Sequence, residues 1–415
     1  MRRGHGLGGA YRRLWTATAV STLGDGMYLA ALPLLAATLT RDPLAVSVVT
    51  FAGWLPWLLF SLPAGALVDR LDRRRVIWTV DATRAVVVAA LTVAVLAGWA
   101  GIPLLAAAGF LVGAGQTLVE NAAQAMVVAV VGRDPRRLER ANGRLVASLT
   151  VGQQLVGPPL GSAAFAVAPW LPFLADAVSF GASASLVASI RGRFAPDRNA
   201  AGTPRRGLRA EIGEGVRFLF GHRLLRAAVL LVSASNLAFM AGEAILVLFA
   251  TEELGLDGRG YGLLLATVAL GGLPGSLLAH RVAERVPPGP LIVGGVLAGA
   301  ATMAGFGLAS NPWLAGAAYA ATGFVWGVWN VILLSLRQGI VPDPLMGRVV
   351  GAIRLIGFGS IPIGALLGGV VARELGLRAP FLLGAAVLAM AALAAAPVVT
   401  TGAIKAARVG TSSST

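Results

Sequence analysis

The ionisable residues that could best take part in chemistry lie inside long apolar stretches. Charged side chains are costly there and usually serve a function. The residues are Asp25, Asp81, Arg84, Glu120, Asp176 and Glu243. A carboxyl group in such a place could gain and lose a proton. Each charge that crosses a membrane potential releases about 2.3 kcal/mol per 100 mV. A carboxyl group of this kind that faced a poorly solvated cavity could therefore couple the movement of another molecule to a proton gradient.

Motifs typical of enzymes do not appear in the sequence. There is no phosphate-cradling Walker motif, so ATP is not the predicted energy source. The chain has no Cys and only 3 scattered His, and no Ser/His/Asp arrangement is evident. We therefore predict no metal site, no cofactor and no enzyme activity. A polytopic membrane enzyme or a signalling scaffold, which would be a function other than transport, is the less favoured alternative.

Composition predicts a membrane protein. The chain has 415 residues, of which 56% are hydrophobic and 13% are charged, against about 25% charged residues in soluble proteins. A helix needs roughly 20 apolar residues to cross the hydrocarbon, and twelve runs meet that need. The predicted spans are 15–39, 43–67, 76–97, 103–131, 144–167, 169–190, 225–250, 259–280, 290–309, 312–336, 349–372 and 378–400.

The positive charge predicts the orientation. With the N-terminus inside, 29 of the 34 basic residues fall in cytoplasmic segments, 4 fall in outside loops and Arg84 lies within a span. This distribution follows the positive-inside rule. The charge is spread over all the loops of one face, which argues against binding of nucleic acid. We predict a multi-pass protein of the cell (plasma) membrane with both termini in the cytoplasm.

An internal repeat divides the chain into two halves. The segment 62–70 resembles 273–281, and Gly157-x-x-x-Gly161 recurs as Gly364-x-x-x-Gly368. An offset near half the chain predicts a parallel repeat of six spans. The fold class is thus all-α integral membrane, with twelve transmembrane helices in two pseudo-symmetric six-helix bundles. The predicted domains are a bundle over 1–190, a cytoplasmic linker with a possible amphipathic helix over 191–224, a second bundle over 225–400, and a tail over 401–415.

The charged loop between spans 2 and 3 carries a family resemblance. Residues 65–75, GALVDRLDRRR, resemble the signature loop of the major facilitator superfamily, with Asp72 where that family often has Gly. Charge-assisted hydrogen bonds from Asp69 could latch the cytoplasmic side shut; the alternative is a topology signal alone. We predict a cytoplasmic gate formed by Gly65, Asp69, Arg70, Arg73, Arg74, Asp81 and Arg84, the last two paired because they lie three residues apart on one helix.

Other residues resemble the macrolide-efflux and enterobactin-exporter branch of that superfamily. They are Gly24-Asp25, Asp81-x-x-Arg84, Asn142 and Asp176. The Gly/Pro-rich run that contains Gly157, Pro158 and Gly161 is similar to the antiporter motif of exporters, and it favours efflux over uptake.

The resemblance implies that spans 1, 4, 7 and 10 line a central cavity. The candidate substrate and proton residues on them are Asp25, Glu120, Asn236, Glu243, Trp326, Trp329 and Asn330. For each carboxyl the alternative is an interhelical hydrogen bond, which we favour for Asp176. The aromatic residues could instead serve packing. The family's span-4 Arg motif is not evident, which puts the usual proton relay in doubt.

The sequence thus predicts a secondary active transporter. It is expected to export an amphipathic small molecule, such as a drug, a macrolide or a siderophore, by alternating access in exchange for protons. The alternative is an importer or facilitator of a small polar solute. The predicted partners are the substrate, protons and the lipid bilayer, and the predicted state is a monomer.

Overall fold

A computed structural model of the chain describes residues 7–68, 71–192, 194, 208–338, 340 and 343–412. The described residues form helices and no strand, which confirms the predicted all-α membrane fold class. The helices are α1 (Gly9–Leu39), α2 (Pro43–Val68), α3 (Arg73–Leu96), α4 (Ile102–Val131), α5 (Pro135–Ser148), α6 (Gly157–Val167), α7 (Leu171–Ala188), α8 (Leu208–Gly221), α9 (Arg223–Glu243), α10 (Leu246–Leu248), α11 (Gly258–Arg285), α12 (Pro288–Gly307), α13 (Pro312–Gln338), α14 (Asp343–Leu375), α15 (Ala379–Ala395) and α16 (Thr401–Ser412).

Within these described ranges, ten helices are long and apolar enough to cross a membrane. The predicted twelfth span corresponds to α15, an apolar helix of 17 residues. The predicted fifth span is divided into α5, a π-helical segment over Leu149–Val156, and α6. Proline at the start of α6 explains the division, because Pro158 and Pro159 lack the N–H groups that would bond to the preceding turn.

The helices group into two compact units. Unit 1 comprises Met1–Thr40, Ala52–Gly202 and Gly258–Ala266, and unit 2 comprises Arg41–Phe51, Thr203–Asp257 and Thr267–Thr415. Unit 1 therefore holds most of α1 to α7, and unit 2 holds most of α8 to α16.

Glycine allows close helix crossings in unit 1. A Cβ added to Gly157 would lie 2.6 Å from the Cα of Gly26, and one added to Gly161 would lie 2.5 Å from the Cα of Met27. Real Cβ atoms do not approach so closely, so α6 contacts the backbone of α1 directly. Close approach through small residues is a common way for helices to associate in membranes.

The recurring pair in unit 2 does the same against α9. A Cβ on Gly364 would lie 2.8 Å from the Cα of Leu237, and one on Gly368 would lie 2.6 Å from the Cα of Ala241. The G-x-x-x-G recurrence noted in the sequence thus has the same physical role in each unit.

Two helices outside the predicted spans pack within unit 2. The linker contains α8, which packs against α14 and α9 and fully buries Leu219. The C-terminal tail contains α16, which packs against α12 and fully buries Ile404. Each helix therefore has a face buried in protein.

Candidate functional site

A buried guanidinium group lies between helices α1, α3 and α7 of unit 1. Nη2 of Arg84, on α3, donates to Oδ1 of Asp25, on α1, at 2.7 Å. Nη1 of Arg84 lies 3.5 Å from Oδ1 of Asp81, and Oδ2 of Asp81 accepts from Ser183 on α7 at 2.7 Å. The guanidinium carbon lies 3.8 Å from the ring centroid of Phe180, a cation–π distance. The network joins α1, α3 and α7 by charged contacts.

A third carboxyl group belongs to the same region. Asp176, on α7, is fully buried, and its Oδ1 accepts from Ser179 of the same helix at 3.2 Å. Its Oδ2 has no hydrogen-bond partner among the described residues, and the same holds for the buried hydroxyl of Tyr28. The prediction of an interhelical hydrogen bond for Asp176 is therefore wrong. Among the described residues, the carboxylate is bonded to Ser179 of its own helix, α7.

Glycines on two helices make room for this cluster. A Cβ on Gly24 of α1 would lie 2.5 Å from Oδ1 of Asp176. A Cβ on Gly115 of α4 would lie 2.7 Å from Cδ of Arg84. Neither position has space for a side chain, so the backbones of α1 and α4 press directly on the charged groups.

Two residues of the predicted cytoplasmic gate, Asp69 and Arg70, lie outside the residues that the structure describes. Nη1 of Arg74 donates to the backbone oxygen of Ile190 at 2.6 Å. The backbone N–H of Arg73 donates to the oxygen of Phe194 at 3.4 Å. Both contacts lie inside unit 1, and they hold the start of α3 against the chain that follows α7.

The residue that departs from the family loop pattern has a local role. Oδ1 of Asp72 accepts from the backbone N–H groups of Arg74 at 3.0 Å and Arg75 at 3.2 Å, so Asp72 is the N-cap of α3. Gly65 lies near the end of α2, where a Cβ would be 3.9 Å from Oδ1 of Asn121. That is an ordinary contact distance, so packing does not explain a glycine at this position.

Glu120, a candidate proton carrier on α4, is partly buried. Its Oε1 accepts from Nε2 of Gln116, one turn earlier on the same helix, at 3.1 Å. The hydrogen bond within α4 orients the carboxyl group along its own helix.

In unit 2, Glu243 lies at the end of α9 next to a group of aromatic rings. We call the rings of Phe239, Tyr319 and Trp326 the aromatic wall. Glu243 accepts a short hydrogen bond from the hydroxyl of Tyr319 on α13. The ring of Phe239 stacks parallel to that of Tyr319, with centroids 6.4 Å apart, and lies 5.7 Å from that of Trp326. The cavity beside Glu243 measures about 20 Å³, which is the size of one water molecule rather than a drug.

The other unit 2 candidates have different surroundings. Nδ2 of Asn236 donates to the backbone oxygen of Gly357 on α14 at 2.8 Å. Trp329 is buried, and its Nε1 donates to the oxygen of Ile292 on α12 at 3.2 Å, which is a packing role. Asn330 is exposed. Glu243 and Trp326 are therefore connected through the rings of Tyr319 and Phe239, whereas Asn236 and Trp329 bond to neighbouring helices.

Sequence reasoning missed several partners. Tyr319, Ser179 and Ser183 were not singled out. A signal existed on α7, where Asp176, Ser179 and Ser183 follow the i, i+3, i+7 spacing of one helical face. A polar stripe of this kind in an apolar helix indicates a face turned to other polar groups. No comparable local pattern marks Tyr319, which lies 76 residues from Glu243.

Three comparisons place the chain among known proteins. The profile of a family described as transmembrane secretion effector matches residues 8–411. The multidrug efflux pump Tap of Mycolicibacterium fortuitum is 30% identical over 374 residues, which cover 86% of this chain and 88% of that protein. The multidrug efflux pump Tap of Mycobacterium tuberculosis is 29% identical over 373 residues, with 88% of each chain covered.

Solved structures share the fold. The crystal structure of the nucleoside transporter NupG aligns with a TM-score of 0.74 at 11% identity, covering 94% of this chain and 99% of that one. An inward-facing bacterial homologue of the iron transporter ferroportin aligns with a TM-score of 0.70 at 14% identity, covering 92% and 98%. At these identities the likeness concerns the fold alone.

Proposed function

Because the chain belongs to the transmembrane secretion effector family, within the major facilitator superfamily, we propose that it exports amphipathic small molecules in exchange for protons. Family membership confirms the predicted superfamily resemblance and the prediction of a multi-pass membrane transporter rather than an enzyme. The direction of transport follows from relatives named as multidrug efflux pumps, at 29–30% identity over most of both chains.

The proposal of proton coupling rests mainly on the buried ionisable groups of unit 1. Among the described residues of unit 1, three carboxyl groups and one guanidinium are buried, with exposures of 7% for Asp25, 1% for Asp81, 2% for Arg84 and 0% for Asp176. A buried charge is costly unless it is paired, and membrane proteins keep such groups mainly for function. With three buried carboxyl groups for one guanidinium, at least one carboxyl group is left without a cation of its own and is suited to bind a proton.

The aromatic wall of unit 2 supports the proposed substrate class. Phe239 and Trp326 are both partly exposed, and Glu243 lines the same small cavity as Phe239. Aromatic faces bind apolar and cationic groups, so this wall suits amphipathic compounds better than small polar ones. In the proposed orientation the protein spans the cell membrane with both termini on the cytoplasmic side. It acts as a monomer.

The test is transport by the purified protein in liposomes. With an acidic lumen, exchange of one ethidium cation for one proton moves no net charge. A gradient of about one pH unit should then support about a tenfold ethidium gradient, because each 1.4 kcal/mol is a factor of ten. Erythromycin and a catecholate siderophore complete the panel. Uridine, a small polar solute, tests the importer alternative, and transport of uridine alone would overturn the proposal.

A further inference from the structure

The carboxyl groups of unit 1 differ in how well their negative charge is compensated. Asp25 accepts a charged hydrogen bond from Arg84 at 2.7 Å. Asp81 accepts from Ser183 at 2.7 Å and lies 3.5 Å from Arg84. Among the described residues, the carboxylate of Asp176 accepts a hydrogen bond only from the hydroxyl of Ser179, at 3.2 Å. The guanidinium is thus engaged by the first two carboxyl groups, and Asp176 has the least support for a negative charge.

The contacts of Asp176 do not fit a structural role. In native proteins nearly all buried polar atoms have hydrogen-bond partners. Oδ2 of Asp176 and the hydroxyl of Tyr28 both lack one within the described part of the chain, although Asp176 is 0% exposed and Tyr28 is 6% exposed. Oδ1 of Asp81 also lacks a hydrogen bond, although it lies 3.5 Å from Nη1 of Arg84. Three unbonded oxygens in one buried region suit a group that changes its protonation state, because each state needs a different set of hydrogen bonds. Within the described part of the chain, Asp176 is the carboxyl group of the three without an ion pair to Arg84.

The surroundings of Asp176 link its charge to α1 and α3. Its helix α7 packs against α1, α3 and α6. The charged and titratable groups that act on it from α1 are Asp25 and Tyr28, and those from α3 are Asp81 and Arg84; α6 carries no ionisable residue. A negative charge on Asp176 would compete with Asp25 for Arg84, and a proton would remove that competition.

We propose that Asp176, beside the unbonded hydroxyl of Tyr28, is the carboxyl group that binds the exchanged proton. This inference rests on the proposed function and names the residue that couples it. Protonation forms one O–H bond on Asp176 and removes one negative charge from the cluster, which leaves Arg84 to Asp25 and Asp81. When Asp176 loses the proton, it again competes with Asp25 of α1 for Arg84. This competition changes the forces on α1, whose Gly24 backbone lies directly against the Asp176 carboxyl group.

The proton can be observed without any substrate. Infrared difference spectra of the purified full-length protein, recorded between acidic and alkaline buffer, report the C=O stretch of buried protonated carboxyl groups. The wild type should show such a band, and Asp176→Asn should lose it. The matched control is Glu139→Gln, which removes an exposed carboxyl group of unit 1 and should keep the band.

A second variant covers the case in which Asp176→Asn does not fold. Tyr28→Phe removes only the neighbouring hydroxyl, and it should move the pH midpoint or the frequency of the band. An unchanged band in either variant would overturn the inference, and so would a band change produced by sodium at constant pH.

Transport separates this inference from the proposed function. In liposomes with an acidic lumen, Asp176→Asn should lose the tenfold ethidium accumulation, and Glu139→Gln should keep it. If the wild type transports with ΔpH while Asp176→Asn keeps both accumulation and band, the inference fails and the proposed function stands. If the wild type shows the titrating band but no ΔpH-driven transport, the proposed function fails and the proton site remains.

Discussion

Replacement of Arg84 by Met is the most informative perturbation of the buried cluster. The substitution removes the central cation and leaves the volume largely filled. In the ion pair with Asp25 the side chains of Arg84 and Asp25 are only 3% and 9% exposed, so water cannot replace the lost partner. Removing one partner of a buried pair costs about 3–5 kcal/mol, because the remaining charge stays unpaired. Loss of the cation–π contact with Phe180 would add about 0.5–2 kcal/mol to that cost.

Two further variants separate the ion pair from general packing. Asp25→Asn keeps the guanidinium beside Asp81, so it should cost only about 1–3 kcal/mol. In the double variant with Arg84→Met, the neutral Asn no longer leaves an unpaired charge at position 25. The double variant should therefore be less destabilised than the sum of the single variants, by about 0.5–3 kcal/mol.

The assay is denaturant unfolding in detergent, followed by tryptophan fluorescence. Arg140→Met is the control, since Arg140 is exposed on α5 and its loss should change stability by no more than about 0.5 kcal/mol. The reasoning would be refuted if Arg84→Met matched this control, or if the two cluster substitutions were additive.

The remaining predictions concern the rest of the fold. Gly161→Val should destabilise the protein by about 1–3 kcal/mol through overpacking against α1, while Gly181→Ala, at a glycine with open space around it, should be neutral or stabilising; thermal unfolding of both tests the crossing. Asp72→Ala should lower stability by about 1 kcal/mol through loss of the α3 cap, and Asp72→Gly by only a few tenths; equal losses would contradict the capping role. Arg378→Gln should weaken the end of α12, where Arg378 donates to two backbone carbonyls at 2.9 and 3.1 Å, and hydrogen exchange should rise there and not in α4. Asp69→Asn should abolish transport and leave expression intact; normal transport would remove the proposed cytoplasmic latch.

The helices were predictable because each span must satisfy its own backbone inside the membrane. A run of about 20 apolar residues has few alternatives to a helix there, so hydropathy alone locates most of them. The predicted fifth span was one exception, and the predicted seventh span (225–250) was another, because α9 ends at Glu243 and is followed by α10 and a π-helical segment over Phe249–Glu253. The run of the fifth span is mostly apolar but includes Arg144, Gln153 and Gln154, and a π-helical segment forms just before Pro158 and Pro159.

Contacts within one helix were also accessible from the sequence. The pairing of Asp81 with Arg84 follows from an i, i+3 spacing, and the structure shows it at 3.5 Å. The cap by Asp72 could have been predicted in the same way, since Asp is a preferred residue before a helix. In the sequence, Asp72 stands out only as a departure from the family pattern.

Contacts between helices were not accessible. Arg84 meets Asp25 across 59 residues of sequence, and no spacing rule connects α1 to α3. The pair forms because α1, α3 and α7 pack together through positions such as Gly24 and Gly115, which leave room for the charged groups. The same limit explains why Asp176 was assigned to a simple structural bond, because the lack of a partner for its Oδ2 becomes visible only in three dimensions.

The most direct test of proton-coupled export is the release of protons on substrate binding. Ethidium is added to the purified protein in weakly buffered detergent solution, and the pH is recorded. Because coupling between two ligands is reciprocal, a substrate that competes with a bound proton must displace it. The account predicts acidification by the wild type and by Glu139→Gln, and none by Asp176→Asn. Ethidium binding to the wild type without any proton release would contradict it.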